Sequence, residues 1–132
     1  MNIDSILIAE HVSTTVDGKL TVVNAFNQIK GAGPKWMIPV MGISIVVHGH
    51  SEEAETEHEG EIRLINEDRK LLRSLPFSFT FPKSTIVGLP LRYVAVMTLI
   101  GATFDAPGVY AFEVYIDDIY MAAASLVITK TG

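Results

Sequence analysis

The sequence predicts an all-β protein, an antiparallel two-sheet β-sandwich of about eight strands with immunoglobulin-like or jelly-roll topology. Three observations support this prediction. Residues 109–116 alternate between buried-type and mixed side chains with a period of two, which indicates a strand with one buried face. Turn-forming residues recur about every ten positions, a spacing typical of sandwiches. No segment shows the apolar periodicity of an amphipathic helix.

Length and charge limit the class of protein. A chain of 132 residues is predicted to form one β-sandwich domain over residues 1–132. The net charge is −5, and only Arg69, Lys70 and Arg73 are grouped among the 10 basic residues. This argues against a nucleic-acid partner, because a phosphate backbone needs clustered cations. The chain has no cysteine, which excludes disulfides and thiolate chemistry.

Hydropathy favours a cytoplasmic protein that associates with itself. The first ten residues lack the basic region and apolar core of a secretory signal. No segment approaches the roughly 20 apolar residues that span a bilayer, so no membrane partner is expected. The hydrophobic fraction of 48% and the mean hydropathy of +0.34 indicate excess apolar surface. Such surface usually lies in an interface, which predicts a homo-oligomer or a protein partner.

The first part of the chain reads as a hairpin followed by a connection. Residues 3–14 are predicted to form the first strand and residues 20–29 the second. A type I′ turn at Asp17-Gly18 is predicted to join them. Residues 31–39 contain Gly33-Pro34 and Pro39, which predicts a connection.

The middle of the chain is predicted to form a second hairpin. Residues 40–50 and 59–66 flank an acidic loop at residues 51–58. With His50 opposite Glu59 in an antiparallel pair, the apolar side chains of both strands fall on one face. A slip of one residue would destroy that match.

In this register His48, His50, Glu59 and Glu61 share the outward face of the hairpin. Imidazole and carboxylate together suit Zn²⁺ or another divalent transition metal, so these four residues are a candidate metal site. The alternative is a solvated hairpin whose cross-strand His–Glu pairs complement each other.

The last strands follow from proline positions and alternation. A strand over residues 77–81, bracketed by Pro76 and Pro82, is predicted to be short and at a sheet edge. Residues 83–90 are predicted to be a loop. Residues 91–104 are apolar on both faces, as expected of a central or an interface strand. A turn at Asp117-Asp118 is predicted to lead into a final strand over residues 119–128.

Two polar features near the end of the chain are assigned to structure. Tyr110 starts its strand after the Pro107-Gly108 turn, the position of the tyrosine corner in Greek-key sandwiches. Its hydroxyl is therefore expected to bond to upstream backbone. Asp117-Asp118 resembles a carboxylate pair for acid–base chemistry. Adjacent strand residues point to opposite faces, however, and Asp is common in tight turns, which favours the turn.

Trp36 is the only tryptophan and lies in the proline-bounded connection. It is a candidate partner-binding residue or a platform for stacking on a sugar ring. The alternative is a lid that packs over the end of the sandwich.

The sequence carries no enzyme motif. It has no nucleophile elbow, phosphate-binding loop or dinucleotide-binding fingerprint, and no cofactor is expected beyond a divalent metal at the His/Glu cluster. The leading hypothesis is a non-enzymatic binding or assembly module. A metal-dependent enzyme and a carbohydrate-binding module are the alternatives.

Three segments resemble a family of small uncharacterised bacterial proteins. They are Ala9-Glu10-His11-Val12, residues 18–26 (GKLTVVNAF) and residues 107–118 (PGVYAFEVYIDD). Asp118 stands where the family more often has glycine in the last turn. The resemblance implies a β-sandwich with no assigned activity, and therefore no catalytic residues to carry over.

Overall fold

The computed structural model describes residues 1–83 and 86–132 of the chain, so residues 84–85 of the predicted loop at 83–90 lie outside it. The described residues contain strands and a single 3₁₀ turn at Ser51–Glu53, and the all-β prediction is confirmed. The strands are β1 (Asn2–Thr14), β2 (Leu20–Ala25), β3 (Gln28–Gly31), β4 (Trp36–Gly49), β5 (Glu57–Ile65), β6 (Leu71–Thr80), β7 (Leu91–Phe104), β8 (Gly108–Ile116) and β9 (Ile119–Lys130).

The strands form a sandwich of two sheets. The four-stranded sheet has the order β2-β1-β4-β7, and the five-stranded sheet has the order β3-β9-β8-β5-β6. All pairs are antiparallel except β3 with β9. Apolar side chains of both sheets meet in one core, for example Ile45 and Val47 of β4 with Ile62 of β5 and Phe112 of β8. Period-two alternation places these side chains inward.

The hairpin of β1 and β2 is confirmed, but its turn differs from the prediction. Thr14 pairs with Leu20, and residues 15–19 form the connection. Gly18 has a φ of 82°, whereas Asp17 is not in the left-handed region. A type I′ turn needs positive φ at both central residues, so that turn type is wrong.

The predicted second strand is broken in the structure. Asn24 has a φ of 53°, and β2 ends at Ala25. Positive φ interrupts the extended backbone, and asparagine tolerates it better than most residues. The chain then crosses to the other sheet, where Ile29 of β3 pairs with Ile128 of β9.

The predicted hairpin over residues 40–66 is wrong. β4 pairs with β1 and β7, whereas β5 pairs with β6 and β8, so the two strands belong to different sheets. The physical reason is that both strands bury one face in the same core. The alternation of apolar and polar residues along each strand is then the same in two arrangements. The strands can pair side by side in one sheet, or they can face each other across the sandwich.

The two long edge strands also differ from expectation. β6 lies at an edge as predicted, but it is longer than expected and continues through Pro76. Proline lacks the N–H donor and is tolerated in an edge strand. The sequence predicts that β7 is a central or an interface strand. The central position is wrong, because β7 is an edge strand of the four-stranded sheet.

The tip of the β1–β2 hairpin folds back over the outer face of its own sheet, where Val12 packs against Gly42 of β4. The backbone O of Gly18 accepts a hydrogen bond from Nη1 of Arg92 on β7 at 3.0 Å. Ser44 and Val46 of β4 alternate with core residues, yet both are buried. This cover explains why the sequence is apolar on both faces of β4.

Candidate functional site

The structure does not bring the four predicted metal ligands together. His48 lies on β4, where its Nδ1 is 3.7 Å from Oδ1 of Asp4. His50 is exposed before the 3₁₀ turn, while Glu59 and Glu61 belong to β5 in the other sheet. Across residues 1–83 and 86–132, no group of three or more His, Cys, Asp or Glu side chains is arranged to hold a metal ion.

The remaining histidine of that segment, His58, is the buried centre of a polar cluster whose other members are partly exposed. Its Nδ1 is 2.9 Å from Oδ2 of Asp117, and its Nε2 is 3.1 Å from the backbone O of Glu53. The ring stacks on Phe79 at 5.3 Å and meets the edge of Phe81 at 5.9 Å. Both partners are acceptors, so a doubly protonated imidazolium satisfies both contacts.

These contacts shift the pKa values of both His58 and Asp117. Burial alone would lower the pKa of His58, but hydrogen bonds to Asp117 and Glu53 oppose it, and the pKa of His58 is raised. The hydrogen bond from His58 lowers the pKa of Asp117, aided by the backbone N–H of Glu59, 3.0 Å from Oδ1. A His–Asp pair can serve general-base catalysis, but here the second ring nitrogen is occupied by a backbone carbonyl. We therefore assign the arrangement a structural role, and we call His58 with its contacts to Asp117 and Glu53 the clasp.

Sequence reasoning missed this clasp, although a signal was present. His58 shares the parity of Ile62 and Leu64 on one alternating strand, which predicts an inward side chain. Asp117 was correctly placed in a turn. It and Asp118 have φ values of 51° and 65°, as a type I′ turn requires. Its contact with His58 depends on tertiary packing.

The outer face of the five-stranded sheet carries a second polar network. Arg69 contacts Glu113 through both terminal nitrogens, at 3.0 and 3.3 Å. The hydroxyl of Tyr115 donates to Glu113 at 3.2 Å, and the guanidinium of Arg63 lies 3.9 Å from the Tyr115 ring centroid. Arg63 also pairs with Glu61. Because these charges satisfy one another, the network stabilises the sheet surface.

Trp36 is buried at the start of β4, with 5% of its surface exposed. Its ring packs against the backbone of Gly31 and Gly33, where an added Cβ would lie 2.9 and 2.8 Å from ring atoms. The two glycines therefore make room for the indole. This position agrees with the alternative in which Trp36 packs as a lid over the end of the sandwich. It leaves no face of the indole ring open for a sugar.

Tyr110 forms the predicted tyrosine corner. Its hydroxyl donates to the backbone O of Ala106 at 2.6 Å, and its ring meets Phe104 edge-on at 4.8 Å. The bond holds the β7–β8 connection against the end of the sandwich.

An open strand edge is the most distinctive surface of the described chain. β7 pairs with β4 alone, so its other edge has no strand partner within residues 1–83 and 86–132. Ile100 of this strand is 74% exposed, and Met37 and Val40 of the adjacent strand β4 are 63% and 50% exposed. Ile100 and Val40 are cross-strand partners. We call this edge and these three side chains the β7 surface.

The comparisons with known proteins assign no activity to the chain. No helix among the described residues is long and apolar enough to cross a membrane. A search of curated proteins finds no significant match to the chain. The model of a family of unknown function, DUF6941, matches residues 4–129. This match spans nearly the whole chain and confirms the expectation of an uncharacterised family: the chain belongs to DUF6941.

Proposed function

We propose that this chain is a non-enzymatic assembly module that associates with a second copy of itself through the β7 surface. The observation that carries the proposal is the open edge of β7, a strand of 14 residues. A free strand edge presents unpaired N–H and C=O groups, which are a template for pairing with another chain.

The other long edge strand shows how such an edge is protected. β6 contains Pro76 and Arg73, and proline and charge are both devices that discourage edge-to-edge pairing. β2 and β3 are short edges of 6 and 4 residues. β7 has no proline, and its one charged residue, Arg92, is near one end and engaged with Gly18. Gly101 has a φ of 66° and interrupts β7 near its C-terminal end, but residues 91–100 pair with β4 in continuous register. Among these edges, β7 therefore has the longest regular segment without proline.

A second copy is the partner that fits this edge most simply. Two identical antiparallel strands pair about a twofold axis, which makes a closed dimer. The chain carries a net charge of −5, which opposes association in general. The β7 surface contains no acidic residue, so two copies meet there without like-charge contact between carboxylates. Pairing would also cover the exposed Ile100 and contribute apolar burial.

Neither alternative function has a comparable observation in its favour. A metal-dependent enzyme would need His48, His50, Glu59 and Glu61 to converge, and they lie on different sheets or outside the strands. A carbohydrate-binding module would need an open aromatic face at Trp36, which is buried.

Sedimentation equilibrium of matched variants tests the proposal. We expect the wild-type chain to dimerise reversibly and Ile100→Lys to weaken the dimer at least about tenfold, or about 1.4 kcal/mol, because it places a charge at the paired edge. Ile119→Lys is the control, since Ile119 is 64% exposed but lies in the other sheet. It should dimerise like wild type. A wild-type chain that stays monomeric, or equal weakening by both substitutions, would overturn the proposal.

A further inference from the structure

A cleft opens at one end of the sandwich, between the β5–β6 turn and the end of β7. Its volume is about 360 Å³. Buried Leu64, Phe104 and Tyr110 contribute an apolar floor, and Lys70 and Arg73 line one wall. We call this space the end cleft. Its size is within the range of about 300–1,000 Å³ that is typical of small-molecule sites.

The two cations of the end cleft have no acidic partner. The side chains of Lys70 and Arg73 form no ion pair with any described residue, whereas Arg63 and Arg69 each pair with a glutamate. Asp105 also lines the cleft, but the nearest cation to it is Lys35, at 3.9 Å. In a chain with a net charge of −5, two unpaired cations on one cleft wall create a local preference for anions.

The wall that carries the cations is held by its own hydrogen bonds. Oδ1 of Asn66 accepts from the backbone N–H groups of Asp68 and Lys70, at 3.0 and 2.9 Å. Arg69 has a φ of 66°, and its side chain is tied to Glu113 on the outer face of the sheet. The turn therefore has a fixed path, and its backbone is ordered before a ligand binds. Such preorganisation lowers the entropic cost of binding.

The opposite wall is braced independently. Gly101 to Ala106 line it, and the hydroxyl of Tyr110 holds the backbone O of Ala106 at 2.6 Å. Gly101 has a φ of 66°, and a Cβ added there would meet no atom within 4 Å. The wall therefore presents backbone and open space to the cleft.

We propose that the end cleft binds a small molecule that carries a carboxylate or phosphate group on an apolar body. The guanidinium of Arg73 can bind two oxygens of such a group at once, and the ammonium of Lys70 adds a point charge. The apolar body would lie on Leu64, Phe104 and Tyr110. The cleft shares Gly101 to Phe104 with the end of β7, but the proposed binding does not rest on the proposed assembly.

Titration calorimetry with phenyl phosphate, benzoate and inorganic phosphate tests the site. We expect saturable binding of phenyl phosphate or benzoate, and the tighter of the two identifies the headgroup. Inorganic phosphate should bind at least about tenfold more weakly than phenyl phosphate, because it lacks the apolar body. Backbone amide signals of Gly101 and Thr103 should shift with the same affinity in NMR spectra. No saturable binding of either aromatic probe would overturn the proposal, and equal affinity for inorganic phosphate would overturn the role of the apolar floor.

A charge-matched pair of double variants tests the residues. Lys70→Gln/Arg73→Gln should weaken binding at least about tenfold, since each lost charge-assisted hydrogen bond contributes strongly. Lys30→Gln/Lys130→Gln removes the same charge from exposed residues of β3 and β9 and should bind like wild type. Equal weakening in both double variants would show an effect of net charge alone and would contradict the site.

Discussion

Replacing His58 with alanine is expected to lower the free energy of unfolding by about 3 kcal/mol. The substitution removes the ring that packs between Phe79 and Phe81, and it leaves Oδ2 of Asp117 and the carbonyl of Glu53 without the imidazole donor. Urea denaturation at pH 6 measures the change. His11→Ala is the control, because His11 is exposed on β1 and should change stability by no more than about 0.5 kcal/mol.

The same clasp makes stability depend on pH in a stated direction. The pKa of His58 is raised on folding, so its contribution is fully present below the unfolded-state pKa of about 6.5. It is lost as the pH rises through the folded-state pKa. The pKa of Asp117 is lowered, so its contribution is present above about pH 3.9 and is lost as the pH falls further.

The difference in unfolding free energy between wild type and His58→Ala isolates this effect. It should be largest near pH 5–6 and should shrink above about pH 6.5. A difference that stays constant from pH 5 to 9 would show that folding does not shift the pKa of His58, and a difference that grows with pH would show that His58 is neutral in the folded protein. Either result would contradict the clasp.

Gly49→Ala is expected to destabilise the protein by about 3 kcal/mol, the upper end of the range for overpacked cores. An added Cβ at Gly49 would lie 2.5 Å from Cε2 of Phe81, whose ring is fully buried and cannot move aside. Gly60 offers the matched comparison, because a Cβ there would lie 2.2 Å from Cζ of Phe77. Phe77 is only half-buried and can swing outward, so Gly60→Ala should cost about 1 kcal/mol.

Thermal or urea unfolding of both variants measures these costs, and a double variant checks the cause. Phe81→Leu combined with Gly49→Ala should lose less stability than the sum of the single changes, because the smaller side chain makes room for the methyl group. Strict additivity, or a larger cost at Gly60 than at Gly49, would contradict the proposed steric clash.

Burial could be predicted from sequence better than strand pairing. The alternation of Val47, Ile62 and Leu64 correctly placed all three side chains in the core. It could not distinguish one hairpin from two strands that face each other, since both arrangements bury the same side chains. That ambiguity produced the wrong register and therefore the wrong prediction that His48 and Glu61 lie close together.

Local features were predictable where a few neighbouring residues determine the geometry. Tyr110 reaches Ala106, only four positions upstream, and the pattern of turn and strand sufficed. The clasp of His58 depends on Asp117, 59 positions away. The end cleft shows both cases: the grouping of Lys70 with Arg73 is visible in the sequence, whereas the facing wall from β7 appears only after folding.

Cross-linking of a single cysteine at the middle of β7 tests the proposed assembly most directly. The chain has no cysteine, so Thr98→Cys introduces one unique thiol at an exposed position of this strand. Two antiparallel β7 strands would bring these thiols close together, and mild oxidation should yield a disulfide-linked dimer. Thr21→Cys, exposed on β2, should remain monomeric under the same conditions. A Thr98→Cys protein that cross-links no faster than Thr21→Cys would show that β7 edges do not meet.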